Sequence, residues 1–288
     1  MSQADRDLVI RALTDDDSFR VLTARTTATC RAAIARQNVS GETARHFGDL
    51  LTGTVLARET MAPQLRVQAV VRGHGGGCTL VADSFPDGGT RGLVTLKRDQ
   101  SEITLGGDAV LQLMRTMPNG AVHRGVVNVG QKGGVPAALM AYLQDSEQIL
   151  TMMGASTLFD DESQVRAAGG YVVQLLPGAD REVVAVMTER LALDFADISR
   201  FVAAPEFHPD ALLEELLYLM PFARLETREV CFECPCSQAS MLAGLATLAR
   251  SDIQSFIDDG RVLDIACDYC KTEYQVAPDQ LRGLLAES

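Results

Sequence analysis

Five of the chain's seven cysteines lie between positions 231 and 270. The run Cys231-Phe-Glu-Cys234-Pro-Cys236-Ser237 puts three thiols into six residues, and thirty residues after Cys236 comes a second pair, Cys267-Asp-Tyr-Cys270. The ~60 residues that carry them are too few to build much of a core unaided, so this end of the chain needs a staple. Two kinds are available to cysteine: a disulfide, which needs an oxidising compartment, or a metal ion held by thiolates. In the second case CxxC or CxC spacing lets two sulfurs of one short loop reach a single ion, and two such loops complete a tetrahedron.

The compartment decides between them. The N-terminal stretch MSQADRDLVI has neither the positive start nor the apolar middle of a secretory signal. No run approaches ~18 apolar residues; the longest candidate, Met241 to Ala249, is short and contains Gly244 and Thr247. A cytoplasmic, non-membrane protein is expected, in which clustered thiols bind metal or do redox chemistry. The 47% hydrophobic and 22% charged composition is that of a chain able to bury a core. A net charge of −12 repels phosphate backbones, and from Arg228 to Ser288 five Lys/Arg face ten Asp/Glu, so no nucleic-acid partner is expected.

Periodicity divides the chain into three parts and predicts an α+β fold. Residues 1–178 form a sheet-and-helix domain. Its strands read as LRVQAVV (Leu65 to Val71), CTLVAD (Cys78 to Asp83), RGLVTL (Arg91 to Leu96) and RGVVNVG (Arg124 to Gly130), separated by glycine-bearing turns that imply antiparallel pairing. Its helices open at Ser40, with Phe47, Leu51 and Val55 on one face, and after Gly134. Residues 179–227 form a helical linker: REVVAVMTERLALDFADISRFV has apolar residues at helical spacing, and HPDALLEELLYLM starts at a Pro-Asp and carries Leu212, Leu213, Leu216 and Leu217. Such a stripe packs against the sheet domain or opens to bind partners. Residues 228–288 form the cysteine-bearing module.

Within that module VLDIACDYCKTEYQV reads as strand, CxxC, strand, the setting of a zinc knuckle. A thioredoxin-type CxxC would instead stand between a strand and a helix N-terminus. Ser237 can cap the helix SQASMLAGLATLA just behind the first thiols. Spacing leaves the first pair open: Cys231 with Cys234 as CxxC, or Cys234 with Cys236 as CxC, each completed by Cys267 and Cys270.

The run Val230-Cys231-Phe232-Glu233-Cys234-Pro235-Cys236-Ser237, followed after thirty residues by Cys267-Asp268-Tyr269-Cys270, resembles the signature of the heat shock protein 33 family, V-x-F-x-C-x-C-S and C-[DE]-[FY]-C. RGVVNVG, the helix ending in Asp145 to Gln148, and AAGGYVVQLLP (Ala167 to Pro177) precede it in the family's order. The resemblance implies a bacterial redox-regulated holdase without enzymatic turnover. One zinc ion would be held in the reduced state by Cys234, Cys236, Cys267 and Cys270. Peroxide with unfolding conditions, or hypochlorite, would expel it and form the disulfides Cys234–Cys236 and Cys267–Cys270. The linker would then lose structure and the protein, often dimerising, would hold unfolding clients on a surface that includes Leu212, Leu213, Leu216 and Leu217. The register with Ser237 favours the same ligand set, leaving Cys231 as an extra redox thiol. Pro235 and Gln238-Ala239-Ser240 stand where the family commonly has basic residues, which lowers thiolate character here. The competing functions are a constitutive zinc-ribbon adaptor and a dithiol oxidoreductase.

The remaining candidates carry less. Arg72-Gly-His-Gly-Gly-Gly-Cys78 lacks the GxxxxGK[ST] pattern and precedes a strand, so it reads as a hairpin turn. Cys30 and Cys78 stand among apolar neighbours as buried thiols. His46, His74, His123 and His208 form no metal motif. Ser146-Glu147-Gln148 is explained by helix-end packing.

Overall fold

In the computed structural model, which describes residues 6–98, 100, 102–130, 132–205 and 207–286, the chain divides into two compact units between Glu233 and Cys234.

The first unit opens with a hairpin of β1 (Leu8–Thr14) and β2 (Phe19–Arg25), then α1 (Thr27–Gln37) and α2 (Gly41–Glu59). Strands β3 (Arg66–Arg72), β4 (Thr79–Ser84), β5 (Gly89–Thr95), β6 (Val110–Thr116) and β7 (Val122–Asn128) follow, then α3 (Gly134–Glu147) and the hairpin of β8 (Thr151–Phe159) and β9 (Val165–Leu175). Next come α4 (Arg181–Leu193), α5 (Ser199–Val202), α6 (Pro209–Leu216), β10 (Phe222–Glu229) and β11 (Cys231–Phe232). One sheet runs β10-β1-β2-β9-β8 and the other β11-β5-β4-β3-β6-β7. Pairing is antiparallel except between β11 and β5. The glycine-rich run makes the β3–β4 turn, where Gly75 and Gly76 take left-handed φ of 69° and 68° that only glycine adopts freely.

Helix α2 packs against strands of both sheets. That position explains its sequence: a helix between two sheets is buried on all sides, and Phe47, Leu50, Leu51, Val55 and Leu56 are almost fully covered. The five-stranded sheet is buried on both faces as well. Leu22, Ala24, Ala168 and Val172 point to the core around α2, whereas Ile10, Ala12, Phe19, Val21, Tyr171 and Val173 meet a second core supplied by α4 to α6. Leu212, Leu213, Leu216 and Leu217 all belong to this second core and are at most 2% exposed.

The helical pattern read over 179–227 resolves into three helices and then a strand. Asp180 caps α4 by accepting from the Glu182 amide at 2.7 Å, and Pro209 occupies the first turn of α6. From Phe222 the chain pairs with β1 instead. Its side chains alternate in charge along an exposed edge, as edge strands commonly do, so no apolar period marked it as a strand. The first compact unit runs to Glu233 and so includes β10 and β11.

The second unit holds α7 (Gln238–Leu245), α8 (Arg250–Asp258), the hairpin of β12 (Leu263–Ala266) and β13 (Glu273–Val276), and α9 (Pro278–Ala286). Its buried apolar set is Ile253, Ile257, Val276 and Leu281. So small a core needs another source of stability.

Candidate metal centre

Cys267 and Cys270 stand at the turn between β12 and β13, the strand–CxxC–strand arrangement the sequence predicts. The turn is closed by the Lys271 amide donating to the Cys267 carbonyl at 2.8 Å and the Cys267 amide donating to the Thr272 carbonyl at 2.9 Å. Lys271 takes a left-handed φ of 60°, which turns the chain back within the knuckle. Cys234 and Cys236 lie on the extended segment ahead of α7. Ser237 caps that helix through a reciprocal pair, its side chain accepting from the Ser240 amide at 3.2 Å while its own amide donates to Ser240 Oγ at 2.8 Å. The backbone immediately behind Cys236 is thereby fixed.

The Sγ atoms of Cys234, Cys236, Cys267 and Cys270 all lie within 4.8 Å of one another. Cys236 Sγ is 3.3 Å from Cys270 Sγ, and Cys234 Sγ is 3.8 Å from Cys267 Sγ. Four sulfurs at about 2.3 Å from a common tetrahedral centre are spaced by about 3.8 Å, so the set fits one metal ion, and four thiolates suit a soft one. Cys267 and Cys270 are buried and the other two half-buried. Cys231 stands in β11, outside this group of four, with its Sγ 3.9 Å from Glu233 Oε2. Burial, then the neighbouring carboxylates of Glu233 and Asp87, hold that thiol above its ordinary range.

The four thiols are unequal. Burial and the adjoining thiols push Cys236 up to about 12, against the effect of the Tyr274 hydroxyl at 3.1 Å. For Cys270 burial also works against the thiolate, but the Thr272 hydroxyl at 3.2 Å, the Thr272 amide and the thiols of Cys236 and Cys267 outweigh it and bring Cys270 down to about 6. Sequence reading missed Thr272 and Tyr274, although a hydroxyl two residues after the last cysteine of a knuckle is a visible signal. Gln238, read as a lost basic residue, donates to the Gln275 carbonyl at 2.9 Å and ties the start of α7 to β13. The other sequence candidates stay apart from the cluster. Cys30 is buried and pushed up to about 12 by that burial, Cys78 is buried, and Glu147 ion-pairs with Arg115 at 2.8 Å.

A family model described as Hsp33 protein matches residues 7–277. The chain belongs to the Hsp33 family. Hsp33 proteins are chaperones rather than enzymes. The 33 kDa chaperonin of Staphylococcus carnosus is 27% identical over 293 residues, covering 98% of both chains. That of Streptococcus pyogenes serotype M1 is 36% identical over 146 residues, 51% of this chain and 50% of its own. A crystal structure of the Thermotoga maritima 33 kDa chaperonin, a heat shock protein 33 homologue, superposes with a TM-score of 0.80 over 98% of each chain at 21% identity, and so shares the fold. No described helix is long and apolar enough to cross a membrane.

Proposed function

We propose that this Hsp33 chain is a redox-regulated holdase whose switch is the four-cysteine unit, with Cys234, Cys236, Cys267 and Cys270 as ligands of one zinc ion. The observation that carries this reading is the convergence of four sulfurs within 4.8 Å in a unit whose own core is four buried side chains. Thiolate ligation contributes an apparent ~10–16 kcal/mol in small zinc modules, as much as the whole stability of an ordinary domain. A unit that leans on its ligands so heavily unfolds when they are taken away.

Oxidation takes them away. In each pair two thiols lose two electrons and two protons and join through a new S–S bond, while one peroxide is reduced to two waters. The pairs proposed are Cys234–Cys236 and Cys267–Cys270, each thiol beside its resolving partner in sequence. The division into an N-terminal domain, a linker over 179–227 and a C-terminal switch belongs to the same proposal. The linker helices cover an apolar face of the five-stranded sheet, and their release would free both that face and Leu212, Leu213, Leu216 and Leu217 for unfolded clients in the cytoplasm, with dimerisation in the oxidised state.

The test is an aggregation assay on zinc-loaded and peroxide-treated protein, with zinc release followed colourimetrically. Protection that appears only after oxidation and tracks zinc loss supports the proposal. Redox-independent binding of one partner would favour an adaptor, and turnover of a disulfide substrate an oxidoreductase. Disulfide formation with the metal retained would sink the switch.

A further inference from the structure

Strand β7 ends the six-stranded sheet and, among the described residues, offers an unpaired backbone edge. Its register with β6 runs from Val110↔Asn128 to Thr116↔Val122 with no bulge. Proteins usually guard such an edge with bulges, prolines or several charges. The edge of the other sheet at β8 is interrupted by a bulge between Leu158 and Phe159, and β10 carries a row of charged side chains. β7 has no proline and no acidic residue, and Arg124 is its one full charge.

The face around it is just as open. Helices α2 and α3 pack on the inner side of this sheet, where Gly125 closes on the Tyr142 ring. On the outer side Val122 and Val126 are 55% and 57% exposed. The cross-strand rows there are Arg72–Val110–Asn128, Val70–Gln112–Val126, Gln68–Met114–Arg124 and Arg66–Thr116–Val122. Arg66 is committed to Asp83 at 2.6 Å. Arg72 and Arg124 are exposed and have no ion-pair or hydrogen-bond partner among the described residues. On a chain of net charge −12 this edge presents unpaired cations between apolar side chains.

We propose that the β7 edge docks an extended segment of a client polypeptide in which apolar and acidic residues alternate, adding it to the sheet as a further strand. Main-chain hydrogen bonds along a free edge supply affinity that does not depend on the client's identity. Side chains directly opposite one another across such a pair stand about 4.5–5.5 Å apart. An acidic residue thus meets Arg124 while the residues two before and two after it cover Val122 and Val126. The inference rests on the chaperone reading of the chain. It is separate from the thiol switch: β7 lies in the first unit and carries no cysteine.

The experiment uses full-length oxidised protein with a labelled peptide repeating Val-Thr-Glu-Thr-Val and its Val-Thr-Lys-Thr-Val counterpart, read by fluorescence anisotropy. The Glu peptide should bind the oxidised protein, and the Lys peptide and Arg124→Glu should each weaken that binding about tenfold. Pairing Arg124→Glu with the Lys peptide should restore it, which a merely misfolded variant would not do. Backbone N-methylation along one edge of the peptide should abolish binding. The proposal is overturned if Arg124→Glu has no effect, if N-methylation is tolerated on both edges of the peptide, or if sedimentation shows that β7 is occupied by a second copy of the chain. Aggregation suppression by the oxidised wild type is measured alongside. Its absence would count against the holdase reading, whereas its presence with unchanged peptide binding in Arg124→Glu would count against the edge alone.

Discussion

The Sγ of Cys236 stands 3.3 Å from the Sγ of Cys270, a residue 34 positions further on, and this approach joins the segment ahead of α7 to the β12–β13 knuckle. Either residue's loss should therefore release the whole second unit. Cys236→Ser is expected to lose zinc and the protection of α7, β12 and β13 against hydrogen exchange, whereas Cys231→Ser keeps one zinc per chain and a folded unit. Metal analysis of the two purified, reduced variants checks this, and the reverse result would reassign the ligands to a Cys231–Cys234 pair.

Two sulfur approaches, 3.3 Å for Cys236 with Cys270 and 3.8 Å for Cys234 with Cys267, run between the motifs rather than within them. The proposed disulfides run within them. All four sulfurs lie within 4.8 Å of one another, so both ways of pairing them are within reach and oxidation selects between them. Peptide mapping after oxidation should find Cys234–Cys236 and Cys267–Cys270. Cross-motif bridges, which would hold the unit closed, should appear only under conditions where it stays folded and the chaperone silent.

At the end of α2, Glu59 joins the strand that leads toward the cysteines to the first unit's core. It ion-pairs with Arg11 of β1 and Arg58, and lies 3.9 Å from Arg228 of β10, while Arg11 also reaches Glu226 of β10 at 3.1 Å. Arg58 is fully buried, so removing its partner strands a charge in the interior. Glu59→Gln should cost about 3–5 kcal/mol and loosen β10. Replacing both Arg58 and Glu59 by apolar residues should recover much of that stability. Chemical denaturation of the single and double variants tests the difference.

Asp49 of α2 is buried with Oδ1 unpartnered among the described residues, and burial pushes its carboxyl up to about 7, with Thr157 offsetting only part of the effect. The folded state thus keeps a proton that the unfolded chain releases near the ordinary value of 3.8. Stability is full below that value, falls as pH rises through the interval, and levels off above about 7. The loss is on the order of 4 kcal/mol. Asp49→Asn should flatten this dependence and be the more stable protein at pH ~8, as read from urea midpoints across the range.

Much of this architecture was legible because its signals are local. Thiol spacing located the knuckle, Ser237 marked the start of α7, and short β-rich runs between glycine-bearing turns located β3, β4, β5 and β7. Strands β1, β2 and β9 left no such trace. Their residues face a core on both sides, so LVIRALT, FRVLTAR and GYVVQL carry apolar residues without a clean period of two. Nothing in the sequence marks Arg58 and Glu59 as interior; the packing of α2 between two sheets makes them so. Sulfur distances depend on how two segments far apart in sequence meet, which spacing alone left open between Cys231 and Cys236.

Leu213 and Leu216 of α6 are fully buried against the outer face of β1 and β2, and they connect stability to regulation. Truncating either to alanine removes methyl groups from a packed site and should cost about 2–5 kcal/mol, felt first in the linker helices that form this core. If the chaperone is silent because these helices cover their own client surface, weakening them should activate it without oxidation. Leu213→Ala, reduced and zinc-loaded, is accordingly expected to suppress client aggregation in part, with α4 to α6 exchanging amide hydrogens faster and the zinc content unchanged. A reduced variant that opens by hydrogen exchange yet protects no client would show that the uncovered leucine face is not where clients bind, and would move the search to another surface of the first unit.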